Sequence, residues 1–191
     1  MKKFILIVLI FLICNCQPPN QVTFDYYNSN SELEKEFLIN SAKKFNQLVG
    51  CEAIELNHIN NNKMAKFEDG TREIQIIDRD VMNKITAKTN AAYGIDSTAA
   101  LTFLADGDVA ISRDIVTNRC FYEVEGQCVY TQGEILFFHE MGHTFGLLHD
   151  VNDSDIMNKI PKSAHTALDF IIFVERLHQK TNICKDIKHA E

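Results

Sequence analysis

Basic side chains are the scarcer charge in this sequence, 19 against 26 acidic ones over 191 residues. That balance argues against nucleic acid as a partner. No apolar run reaches the ~20 residues needed to cross a bilayer core; FILIVLIFLI, Phe4 to Ile13, stops at ten. Internal repeats and low-complexity tracts are missing, which removes the solenoid and linker classes. Tryptophan is absent and histidine is sparse, with seven in the whole chain. What is present is 46% apolar content, enough for one well-buried domain and short for two.

The apolar run follows Met1, Lys2 and Lys3 and is followed by CNCQPPNQ. A charged start, a short apolar core and a polar exit read as a secretory signal over residues 1–16; the rival is a buried N-terminal helix. Cys14 and Cys16 sit where the apolar run ends, a position that suggests lipid attachment. The match to the bacterial lipoprotein box is imperfect at both, and the smaller neighbour, Asn15, favours Cys16 over Cys14. The expectation is an exported chain, lipid-anchored at the cell surface or outer membrane, with a freely secreted or periplasmic protein as the alternative. Removal of residues 1 to 15 takes Lys2 and Lys3 with it, leaving 17 basic against 26 acidic side chains and a formal charge of −9.

Four further cysteines, Cys51, Cys120, Cys128 and Cys184, are an even number in an exported chain, which favours two disulfides. Cys120 and Cys128 bracket FYEVEGQ closely enough for a local staple, leaving Cys51 to reach Cys184, although four cysteines allow three pairings.

Residues 17–30, QPPNQVTFDYYNSN, are polar, carry Pro18 and Pro19, show no helical period and read as a tether. From Ser31 the pattern changes, and residues 31–191 read as the folded domain. Leu33, Phe37, Leu38, Phe45 and Leu48 recur at roughly helical spacing, with Ser31 and Glu34 in a capping-box relation, predicting a helix that ends near Gly50. CEAIELNHI and REIQIIDRD alternate and predict strands. STAALTFLADGDVAISRDI places two apolar runs about Asp106 and Gly107, a hairpin signal. A loop carrying the Cys120–Cys128 staple leads to TQGEILFFHEMGHTF, where Thr131 and Glu134 form a second capping box. A last helical pattern runs from about Ala167 to Lys180. These elements together predict a mixed α/β (α+β) domain, a twisted sheet backed by helices.

Within the second helix lies HEMGHTFGLLHD, His139 to Asp150, holding three of the seven histidines. Residues four apart share a helix face, so His139 and His143 can point at one metal ion. His149 cannot join them on a continuing helix, being 240° away from His143. Gly146 resolves this, since a glycine can take the left-handed conformation that ends a helix and turns the chain back. Three imidazole nitrogens leave one position of a tetrahedral zinc open, the arrangement of a catalytic site. Glu140, next to the first ligand, is the natural general base for a water that zinc acidifies, and the chemistry is peptide hydrolysis without a covalent intermediate. Gly142 leaves a bare patch beside the site, or is merely tolerated in the helix. Five fixed positions in HExxHxxGxxH arise by accident on the order of once in 10⁵ chains of this length, which sets coincidence aside.

The motif resembles that of the metzincin clan of zinc peptidases, HExxHxxGxxH followed by a methionine-containing turn. Met157, in SDIMNKIP, lies eight residues after His149, and that spacing with Gly142 is most similar to the matrixin branch and its bacterial relatives. Asp150 departs from the serine usual there and is similar to the adamalysin branch. The resemblance implies a metzincin-like zincin fold with a shallow cleft and one catalytic zinc on His139, His143 and His149. It implies that Met157 is a hydrophobic floor and that Thr98–Phe103 is an edge strand receiving an extended peptide. Asn158–Ala164 would border the pocket for the side chain after the scissile bond. The second, structural zinc of animal matrixins has no usual place here, because no histidine occurs between Ile59 and Phe138. His58, His165, His178 and His189 are expected at the surface or in local hydrogen bonds. Calcium is a further candidate cofactor at acidic loops around Asp106, Asp108 and Asp114, against a solvated turn. The expected partner is a protein or peptide substrate, acted on by a monomer; the alternative is a zinc-binding, non-catalytic interaction protein on the same fold.

Overall fold

The computed structural model describes residues 21–27, 31–60, 72–90, 100–103, 107–116, 119–149, 156–158, 165–181 and 183–184. The signal-like run, Cys14, Cys16, Thr98, Asp106, Asp150, residues 159–164 and His189 lie outside them.

The expected tether gives way at Val22. Residues Val22–Tyr27 form a strand, β1, whose Val22, Phe24 and Tyr26 are buried. Alternation is the physical reason: apolar residues at every second position line one face of a strand, here in a stretch whose polar flanks conceal it. Helix α1, Glu32–Val49, starts at the Ser31–Glu34 capping box and ends at Gly50, which has φ 81°. Its buried stripe is Leu38, Ala42, Phe45 and Val49, leaving Leu33 exposed.

Strand β2 is Ile54–Ile59 and β3 is Ile74–Ile77. The strand expected over REIQIIDRD is cut short, because a helix, α2, begins at Arg79 and runs to Asn90. Val81 and Met82 donate their amides to the Asp78 carbonyl, 3.0 Å each, and Met82 is the buried side chain that seats the helix. The hairpin about Gly107 is present as β4, Ala100–Phe103, antiparallel to β5, Asp108–Ser112, with Thr102 opposite Val109.

β1 pairs parallel with β2, and β3 parallel with β5. A parallel bridge between Asp25 and Glu73 joins the two pieces, so the strands run in the order β2, β1, β3, β5, β4. Among the described residues β4 pairs on one side only and is an edge. The Cys120–Cys128 loop is itself a hairpin, β6 (Cys120–Val124) and β7 (Gln127–Thr131), turning at Glu125 and Gly126 with φ of 52° and 77°. Both turn residues are left-handed, the type I′ geometry that suits strand twist. β7 runs directly into α3, Gln132–Thr144, capped by Thr131 and Glu134; α4 is Ala167–Lys180. The mixed α/β expectation holds.

Without tryptophan, the core between the helices is built from phenylalanine. Phe45 of α1 meets Phe138 of α3 at 5.8 Å and Phe173 of α4 at 6.3 Å between ring centroids, in tilted and edge-on arrangements that suit aromatic quadrupoles. Two disulfides close the domain, Cys51–Cys184 and Cys120–Cys128, with Cα separations of 5.7 and 5.6 Å. They span very different lengths, 133 and 8 residues. Chain entropy therefore predicts roughly 2–5 kcal/mol lost on urea unfolding of a Cys51→Ser/Cys184→Ser variant. The Cys120→Ser/Cys128→Ser pair should lose less; an equal or larger loss there would show that unfolded-chain entropy does not govern these bonds.

Candidate metal centre

Helix α3 carries His139 and His143 on one face and then stops. The amides of Phe145, Gly146 and Leu147 turn back to the carbonyls of Met141, His143 and Gly142 at 3.0, 2.9 and 2.8 Å. Gly146 takes φ 91°, which a side chain would strain. The chain reverses there, and His149 returns to the helix face. The Nη2 of Arg176, on α4, lies 3.4 Å from the Leu148 carbonyl beside it.

Each helical histidine is oriented through its far nitrogen. His139 Nδ1 donates to the carbonyl of Ile156 at 2.7 Å, and His143 Nδ1 donates to the carbonyl of Leu147 at 2.8 Å. A carbonyl only accepts, so the proton sits on Nδ1 and the Nε2 lone pair faces inward. The Nε2 atoms of both lie 3.1 Å from Nε2 of His149. Tetrahedral zinc with nitrogens at its usual bond length separates them by about 3.3 Å, so the donor set fits that ion. Burial holds both His139 and His143 below the ordinary imidazole pKa, in the neutral form that a metal requires. His139 is buried and His149 exposed, so the cluster opens to solvent on one side. Among the described residues these three are the group able to hold a metal ion.

Ile156 and Met157 form the underside. Ile156 supplies the carbonyl that orients His139, and Met157 is fully buried. Its Sδ occupies the space that a Cβ on Gly142 would need, and such a Cβ would also lie 3.1 Å from the Phe173 ring. Gly142 is thus fixed by Met157, not left as a bare patch. Gly142→Ala should lose about 1–3 kcal/mol by overpacking, measured by chemical denaturation. A second change, Met157→Ala, should restore part of that loss, since residues in contact do not add. Strict additivity would place the strain elsewhere.

Glu140 points to the sheet. Its Oε2 accepts a hydrogen bond from the Thr102 hydroxyl at 2.6 Å, and the same hydroxyl lies 3.1 Å from the Glu140 main-chain carbonyl. Burial pushes the carboxyl pKa up to about 7, with the Thr102 hydrogen bond opposing. Thr102 is the residue that the sequence reading missed. The available signal was alternation on β4, which puts Ala100 and Thr102 on one face, both buried.

Among the described residues, the other histidines named from the sequence are not part of this cluster. His58 stacks on Tyr26 at 5.0 Å, and His178 Nε2 bonds the Val49 carbonyl at 3.1 Å. His165 is buried against Phe170, its Nδ1 3.8 Å from a carboxylate oxygen of Asp169, four residues on. Two of the carboxylates considered for calcium are committed to protein groups: Asp108 accepts from the Glu73 amide at 2.8 Å, and Asp114 pairs with Arg79 and Ser112. Among the described residues neither belongs to a group able to hold a metal ion. An open depression of about 630 Å³ beside α1 and β2, bordered by Tyr26, Asn46 and Leu56, includes none of the three histidines.

No protein-family model matches the sequence, and no curated protein matches it. Solved structures similar to this chain include an archaemetzincin and a zinc-dependent peptidase. The archaemetzincin of Methanopyrus kandleri shares 8% identity at a TM-score of 0.46, over 86% of this chain and 99% of that one. A zinc-dependent peptidase from Methanocorpusculum labreanum shares 11% at a TM-score of 0.40, over 80% of this chain and 100% of that one. Likeness at this level decides nothing about the chemistry, which stands on the residues above.

Proposed function

We propose that this chain is a zinc-dependent endopeptidase of the metzincin type, in which His139, His143 and His149 hold one zinc ion and Glu140 is the general base. The observation that carries the reading is the convergence of three Nε2 atoms, two of them oriented by backbone carbonyls, beside a buried carboxylate. A zinc ion bound there supplies Lewis-acid polarisation of the scissile carbonyl and acidifies a water. Glu140 takes the proton of the attacking water and passes it to the departing amine. β4, paired on one side only among the described residues, offers its free edge to an extended peptide by strand addition. Met157 packs beneath the histidines without ligating. The eight-residue step from His149 to Met157 and Gly142 favour the matrixin-like branch.

Two disulfides fit an oxidising compartment and so support export; the proposed anchor, a lipid on Cys16 or on Cys14, is argued from the position of these two cysteines where the apolar run ends. Incubation of the protein with a mixed peptide library tests the enzymatic reading: internal cleavage that a chelator stops and zinc restores is expected. Absence of cleavage by fully zinc-loaded protein overturns it in favour of a binding protein.

A further inference from the structure

We infer that Thr102 is a positioning residue for Glu140, the strand hydroxyl that holds the general base in its working orientation; the inference rests on the peptidase reading above. Three observations carry it. First, the hydroxyl is aimed at the carboxylate: the Thr102 Oγ1 to Glu140 Oε2 distance is 2.6 Å, against 3.1 Å to the Glu140 carbonyl, so the single hydroxyl proton serves the carboxylate. Second, both side chains are buried. A buried carboxylate oxygen needs a donor, and a hydrogen bond made out of water to a charged acceptor is among the stronger ones. Third, the two residues come from different elements, β4 and α3, 38 positions apart.

Packing alone does not require this residue. Valine has nearly the shape of threonine, suits a strand at least as well, and would satisfy a buried position. What valine cannot do is donate. With Oε2 held from the sheet, the carboxylate plane is fixed and Oε1 is left to the attacking water. Because Thr102 belongs to the strand on which the substrate is proposed to lie, one element then sets the height of the peptide and the orientation of the base.

Thr102→Val, Thr102→Ser and Glu140→Ala separate the possibilities, alone and with Thr102→Val and Glu140→Ala combined. Thr102→Val should keep its zinc stoichiometry and its KM within about twofold, while kcat falls about 10- to 100-fold, the scale of a reacting group misplaced by an ångström. Thr102→Ser should return kcat to within a few-fold of wild type. A readout independent of turnover is the urea midpoint of the metal-free protein: Thr102→Val should lower it in the wild-type background and less in Glu140→Ala, because the carboxylate partner is already gone and only the longer contact to the main-chain carbonyl remains. Equal shifts in the two backgrounds would overturn the contact, and an unchanged kcat in Thr102→Val would overturn its positioning role. If wild type cleaves nothing, the peptidase reading falls and this role with it. If wild type cleaves and Thr102→Val cleaves equally well, only this inference fails.

Discussion

Glu140→Ala should fold, take up one zinc per chain and hydrolyse peptides on the order of 10²- to 10⁴-fold more slowly, the range of general-base contributions. The fold should survive because the carboxylate is a costly group to bury. It lies under 5% exposed, and burial already pushes its pKa up to about 7. Its removal relieves that penalty and leaves a small void at the junction of α3 and β4. The Thr102 hydroxyl does not become an orphan, since the Glu140 main-chain carbonyl, 3.1 Å away, remains to accept it. Zinc should be retained because the histidines are oriented by the carbonyls of Ile156 and Leu147, not by the carboxylate. Metal analysis and kcat on the same preparation check both halves. Activity within a few-fold of wild type would show that another group takes the proton.

The parts of this molecule that can be read from the sequence are those whose determinants lie close together along the chain. α1 and α3 announce themselves by capping boxes, Ser31 with Glu34 and Thr131 with Glu134, and both boxes close in the structure. The histidine cluster is equally local: a four-residue step on a helix, a glycine that stops it, and a return after six residues. The elements that escaped are short or weakly patterned. β1 has three buried alternating positions inside a polar stretch. α2 has apolar residues at Val81, Met82 and Ile85 within twelve mostly polar ones, and its amphipathic stripe is too thin to outweigh the strand-like IQII before it. The turn at Glu125 and Gly126 hides for another reason, because glutamate is not among the residues that favour positive φ. Contacts made only by tertiary packing could not be seen at all. Thr102 meets Glu140, and Met157 fixes Gly142, across distances that no local pattern spans.

Zinc should stabilise this protein against unfolding, and the three histidines should carry that response unequally in a way their surroundings dictate. Free zinc at 100-fold its Kd adds about 2.7 kcal/mol to the unfolding free energy, and at 1,000-fold about 4.1 kcal/mol, provided the unfolded chain binds weakly. His149 is exposed and follows the helix, so His149→Ala in the metal-free protein should change stability by no more than about 0.5 kcal/mol. It should nevertheless lose nearly the whole zinc response. His139 is buried and donates to Ile156; His139→Ala should lose the zinc response and also cost roughly 1–3 kcal/mol without metal, because the Ile156 carbonyl is left unsatisfied. His143→Ala should fall between them, as its imidazole is half-buried and bonded to Leu147. His58→Ala and His178→Ala, whose rings are engaged by Tyr26 and Val49 away from the cluster, should keep the full response. Thermal and urea unfolding with and without zinc, alongside metal stoichiometry, read all five variants on one scale. A full zinc response in His149→Ala would mean that the chain turned back by Gly146 does not deliver the third ligand.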